Sequence, residues 1–144
     1  MEKTTHSIPV IELWGQLVVP LQGEIRDSQI DDLQRRVLER IRDRGAEGLV
    51  IDASGVWLMD SHLCATVGKL ASAARLMGVR AVLCGLGADV VLTLQSMGIE
   101  LQGVDTALEL ESALEHLGVR VLLEGQDDDQ DDQDDDALAS AERA

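Results

Sequence analysis

Short apolar runs open the chain, and their period changes as it proceeds. Residues Ile8 to Trp14 and Gln16 to Leu21 are β-type runs separated by Gly15, which predicts an antiparallel hairpin with Pro9 and Pro20 near strand ends or on an edge. Ile30, Leu33, Val37 and Ile41 then recur at helical spacing, so a helix is predicted over about Ser28 to Arg44. Ser28 and Asp31 stand near capping-box spacing at its start, and Gly45 supplies the stop. Gly48 to Ala53 is an apolar run too short for a helix and reads as a buried strand. A second helix, about Ser61 to Met77, would present Leu63, Cys64, Val67, Leu70, Ala71 and Ala74 on one face and end at Gly78. Val79 to Cys84 predicts a strand, Asp89 to Met97 a helix closed by Gly98, and Ile99 to Val104 a weak strand. Thr106 to Leu117 predicts a last helix, with Thr106 and Glu109 as a capping box and Gly118 as its end. A β-β pair followed by repeated α-β units implies an α/β domain, a mixed sheet with helices on at least one face. Val119 to Leu123 is compatible with a final strand or a docking segment.

The 144 residues suffice for one domain with a proper core, placed at residues 1–123, with a tail at 124–144. Apolar residues make up 45 % of the chain, but there is no Phe or Tyr and only Trp14 and Trp57, so the core must be aliphatic. The same poverty removes the stacking platforms that single-stranded nucleic acid readers use. The net charge of −15 is unevenly spread, with ten acids and one base from Glu124 onward and 17 acids against 11 bases before it. Neither part offers a basic patch for a phosphate backbone, so no nucleic acid partner is expected. Eight of residues 127–136 are Asp, a composition that cannot bury enough surface to order itself, which predicts a disordered acidic tail. The N-terminal residues lack a signal-peptide layout and the apolar runs are too short to span a bilayer, so a soluble cytoplasmic protein without membrane association is expected. Cys64 and Cys84 form no CxxC pair and read as reduced, buried thiols.

Chemistry concentrates at Asp60-Ser61, where the strand ending near Ala53 has passed through a loop and a helix begins. A serine there caps its own helix or accepts a phosphate. Asp60 orients that hydroxyl or is a solvated residue at the helix start. His62 is adjacent, but neighbouring helical residues point in different directions, so it is poorly placed as a base for Ser61. Trp57, Leu58 and Met59 form an apolar trio beside the site, a hot spot if exposed and part of the packing if buried. Gly85-Leu-Gly87 follows a strand and reads as a tight turn rather than a nucleotide loop, since a third glycine and a ribose-binding acid are missing. Thr93 lies inside a helix, which favours a packed or back-bonded hydroxyl over a second phosphosite. Asp127, Asp129 and Asp131 match the first ligand positions of an EF-hand loop, but Asp132 and Leu138 break the pattern. No catalytic residue, metal site or cofactor is assigned.

Four segments together resemble the STAS domain of bacterial anti-sigma-factor antagonists: Gly48-Leu-Val-Ile-Asp52, Val56-Trp-Leu-Met-Asp60-Ser61, Gly78 to Gly85, and Thr93-Leu-Gln-Ser-Met-Gly98-Ile. The resemblance covers residues 7–118 and is closest to the RsbS-like stressosome scaffolds, given the Ile8-Pro-Val-Ile-Glu-Leu-Trp start and Thr106-Ala-Leu-Glu-Leu-Glu. It implies a non-enzymatic scaffold in a large homo- or hetero-oligomer with RsbR-like STAS paralogues. Such a scaffold holds an RsbT-like switch kinase idle, releases it when Ser61 is phosphorylated, and is reset by a phosphatase. The implied partner-binding residues are Trp57, Met59, Asp60, Ser61 and His62. The alternative within the family is a free-standing anti-anti-sigma factor that binds an anti-sigma kinase directly; outside it, the rival is an enzyme or small-ligand sensor using the turn at Gly85. Trp57 and the Asp-rich tail depart from the family pattern.

Overall fold

The computed structural model describes residues 7–101 and 103–120. The hairpin forms as expected, with β1 (Ile11–Leu13) antiparallel to β2 (Gln16–Gly23). Leu13 faces Gln16, so the turn is the two residues Trp14 and Gly15, at φ 51° and 80°. Positive φ at both positions is what a primed two-residue turn requires to match strand twist. Pro20 lies beyond the reach of β1, and the ladder from β2 to β3 is irregular between Pro20 and Gln22, which accommodates the missing N–H.

Helix α1 (Asp27–Arg44) buries Ile30, Leu33, Val37 and Ile41, and Gly45 closes it at φ 66° with its N–H on the Ile41 carbonyl. Its start differs from the expected box between Ser28 and Asp31. Arg26 is the N-cap residue, and the Gln29 side-chain oxygen accepts from the Arg26 N–H at 2.9 Å, which places Ser28 inside the first turn. The next elements are β3 (Gly48–Val56), α2 (Ser61–Leu76), β4 (Arg80–Cys84) and α3 (Ala88–Ser96). The six residues assigned to the inner face of α2 are the six that are buried.

The largest departure follows α3. The described residues between Ile99 and Val104 form no strand; β5 is Asp105–Ala107, and Thr106 pairs with Leu83 rather than capping a helix. Backbone pairing to β4 outweighs the local capping signal. Helix α4 is therefore shorter, Leu110–His116, with Glu109 as its N-cap residue. Residues 121–123 of the expected final segment and the tail at 124–144 lie outside the described residues.

The five strands stand in the order β1-β2-β3-β4-β5, antiparallel at β1 and parallel thereafter. Leu17, Val19, Leu49, Ile51, Ala81 and Leu83 meet α1 and α2 on one face, and Leu94 of α3 joins that cluster. Val18, Val50, Val82 and Cys84 meet Ala113 and Leu114 of α4 on the other. Burial on both faces explains the unbroken apolar runs of β2, β3 and β4. The parallel arrangement brings the carboxyl ends of β2, β3 and β4, and the starts of α1, α2 and α3, to one end of the sheet.

Candidate functional site

The site is built at the start of α2. Beyond Val56, residue Met59 is buried among the core side chains at 1 % exposure, while Trp57 and Leu58 are 83 % and 68 % exposed. The apolar trio is thus divided: Met59 anchors the connection, and its expected role as a direct partner contact is corrected to a packing role. Asp60 is extended at φ −85° and ψ 177°, and its carboxylate accepts from the Leu63 N–H at 2.8 Å. The N-cap is therefore Asp60 and not Ser61. Aspartate one residue earlier reaches the third amide of the helix, a bond that the serine would have made had it held the cap position.

This shift changes what Ser61 can do. It is the first helical residue, it is exposed, and among the described residues its hydroxyl has no hydrogen-bond partner. The amides of Ser61 and His62 lie at the positive end of the helix without intrahelical acceptors. The His62 Nε2 lies 2.7 Å from Asp27 Oδ1, tying the starts of α2 and α1, so its ring is engaged there rather than with Ser61.

Two concavities flank this first turn. A groove of about 760 Å³ runs along α2, lined by Ser61, Ala65, Gly68 and Ser72 and walled by Glu100 and Leu101. On the other side, a cleft of about 290 Å³ separates the β2–α1 connection from the β3–α2 connection, and Glu24, Asp27, Trp57, Leu58, Asp60 and His62 line it. Glu24 and Asp27 were not singled out in the sequence as site residues. The signal that finds them is their position just past the carboxyl end of a parallel strand, where open α/β sheets gather ligands.

The remaining candidates are placed apart from this chemistry. Gly85 adopts φ 82° and donates its N–H to the Leu108 carbonyl at 3.1 Å. A Cβ there would lie 2.7 Å from Asp52 Oδ1 and 2.8 Å from the Ser54 nitrogen, so the turn is filled by the protein's own atoms. The Thr93 hydroxyl is exposed and donates to the Asp89 carbonyl at 2.9 Å, the back-bonded state expected of a helical threonine. Cys64 and Cys84 are free and buried. Burial, with the nearby Asp60 carboxylate, raises the Cys64 thiol; burial and Asp52 push Cys84 up to about 12. Both are poor thiolates. Among the described residues no cluster of three His, Cys, Asp or Glu could hold a metal ion, and the Asp127, Asp129 and Asp131 pattern lies outside them.

A family model described as STAS domain matches residues 4–115. The chain belongs to the STAS domain family. Among curated relatives, the RsbT co-antagonist protein RsbRB of Bacillus subtilis is 31 % identical over 111 residues, which cover 76 % of this chain and 40 % of RsbRB. The match thus spans less than half the length of that relative. Among solved structures, a serine-to-glutamate variant of RsbS from Moorella thermoacetica superposes with a TM-score of 0.66 at 30 % identity, covering 77 % of this chain and 94 % of that one. A chain from the molecular architecture of the stressosome, described as a signal integration and transduction hub, gives a TM-score of 0.63 at 28 % identity, over 76 % and 96 % of the two chains. The expected resemblance to STAS proteins, with RsbS among the structural neighbours, is borne out. No helix among the described residues is long and apolar enough to cross a membrane.

Proposed function

We propose that this STAS protein is a cytoplasmic, non-enzymatic scaffold of a stressosome-type assembly, which holds an RsbT-like serine/threonine switch kinase idle and releases it when Ser61 is phosphorylated. The observation that carries the proposal is the Ser61 hydroxyl: exposed and unpartnered among the described residues, on the first turn of a helix already capped by Asp60. The likeness to an RsbT co-antagonist and to a stressosome chain supports the choice of partner and of co-assembling RsbR-like paralogues. A phosphatase acting on Ser61 would reset the switch.

The physics favours release without unfolding. A phosphoserine adds about −1.5 to −2 charges. At a helix N-terminus such charge interacts favourably with the dipole, by roughly 0.3–1 kcal/mol, so α2 tolerates the group. A partner surface packed over Ser61 must instead accommodate a bulky dianion. Losing a few kcal/mol there, at about 1.4 kcal/mol per tenfold in affinity, turns a held kinase into a free one.

The test is intact mass and phosphopeptide mapping after incubation with the kinase and ATP, comparing wild type with Ser61→Ala. One phosphate on Ser61, lost in the variant, is expected. An unmodified chain in the presence of a kinase active on another substrate would remove the proposed function and leave the family assignment untouched. Sedimentation with the paralogues then separates a large co-assembly from the small complex of a free-standing anti-anti-sigma factor.

A further inference from the structure

We propose that the cleft beside α2 receives a cationic side chain, an arginine or lysine projecting from the partner protein. The inference rests on reading the chain as a partner-binding scaffold and names the chemistry of one contact on that surface. The floor of the cleft is apolar, formed by Ile25, Ile30 and Leu63, and its lining includes the carboxylates of Glu24, Asp27 and Asp60 and no lysine or arginine. Only part of that negative charge is engaged. Asp60 binds the Leu63 N–H and Asp27 binds His62, whereas Glu24 has no hydrogen bond or ion pair among the described residues.

Trp57 also lines the cleft and is 83 % exposed, an unusual position for a large aromatic side chain unless something covers it. An apolar floor, an exposed indole and an acidic lining together match one kind of occupant. The aliphatic stem of an arginine or lysine lies along apolar surface while its head group keeps polar partners, and an indole face attracts that head group. A purely apolar side chain would leave the carboxylates without a counter-charge, and an acidic one would be repelled.

The cleft and the Ser61 groove lie on different sides of the first turn of α2. A phosphate on Ser61 makes the neighbourhood more negative, which does not weaken a cation in the cleft. Release therefore comes from the groove side, and the cleft keeps its attraction for the cation in both forms of the protein.

The test is to titrate N-acetyl-arginine amide into the isotope-labelled full chain and follow the amides and both tryptophan indoles by NMR. The Trp57 indole and the amides of Leu58, Asp60 and His62 should shift in a saturable way, while Trp14, exposed at the hairpin turn, serves as the internal control and should not. N-acetyl-norleucine amide should leave all of them nearly unmoved. The double substitution Glu24→Gln and Asp27→Asn should weaken the titration by roughly 2- to 10-fold, and Trp57→Ala by roughly 2- to 5-fold. A well-dispersed spectrum of each variant verifies the fold. An equal response to norleucine would replace the cationic occupant by an apolar one, and equal shifts at Trp14 and Trp57, or no saturable shift, would overturn the cleft as a site. Phosphate transfer to Ser61 with a silent cleft overturns this inference alone; a responsive cleft on a chain that the kinase never modifies overturns the function proposed above instead.

Discussion

Two strand-to-helix connections leave the same end of the sheet and solve the same problem differently. After β4, the chain reaches α3 through Gly85 to Gly87, with Gly85 pressed against Asp52 and Ser54 and bonded to Leu108. After β3, it reaches α2 through Trp57 to Asp60, held by the buried Met59 and the carboxylate cap, with Trp57 and Leu58 left in solvent. The hydroxyls follow the same division, since Thr93 on α3 is bonded to Asp89 and Ser61 on α2 is unbonded among the described residues. A connection packed with its own atoms has little left for a partner. One held at two points keeps its remaining groups available, and that is the physical difference between a turn and a site.

The contrast is broken most forcefully at Gly85. Gly85→Ala would place a Cβ in the left-handed region at about 1–2 kcal/mol, with a further cost from the close approach to the Ser54 backbone. Urea unfolding should show a lower midpoint with an unchanged slope, whereas Trp57→Ala should stay within about 0.5 kcal/mol of wild type. Next comes the cap. Asp60→Ala should destabilise by about 1 kcal/mol, and Ser61→Ala by less than about 0.5 kcal/mol, even though it removes the proposed phosphoacceptor. Equal costs for the two in thermal unfolding would show that the cap had been assigned to the wrong residue.

A smaller effect is expected at Thr93→Val, which removes an exposed back-bond that contributes little to helix stability. Its unfolding midpoint should barely move and kinase-dependent phosphate incorporation should be unchanged; a lost phosphate would erase the distinction between the two hydroxyls. The smallest is electrostatic. The Arg80 guanidinium, and then His116, hold the Asp105 carboxyl below its ordinary value on the β4–β5 side. A depressed folded pKa means the contribution is complete above the unfolded value of about 3.9 and is lost as pH falls through the folded value. Asp105 is half exposed, so the effect is screened by salt; Asp105→Asn should slightly flatten the acid limb of the stability profile and leave neutral pH nearly unaffected.

Much of the fold was legible because local and global signals agreed. The buried stripes of α1 and α2 follow from helical periodicity, and the turns at Gly45, Gly78 and Gly98 from glycine's access to positive φ. The Asp60-Ser61 position was legible as the place of interest. Which residue capped the helix was not, because aspartate and serine are equally good caps and only the backbone path decides between them. Nor could sequence separate Met59 from its neighbours Trp57 and Leu58, since an apolar trio in a loop has no period to assign a face.

By itself the sequence determined the order of the main elements, the aliphatic character of the core and the candidate phosphoacceptor, all of which depend on spacing and composition over short distances. Tertiary structure decided the rest. Thr106 became a strand residue because β4 offered it backbone partners, Glu24 and Asp27 joined Trp57 across a cleft because β2 and β3 end side by side, and Ser61 was freed because Asp60 reached the Leu63 amide first. Each of these is set by competition among groups brought together by the fold, and no local pattern records which of them wins.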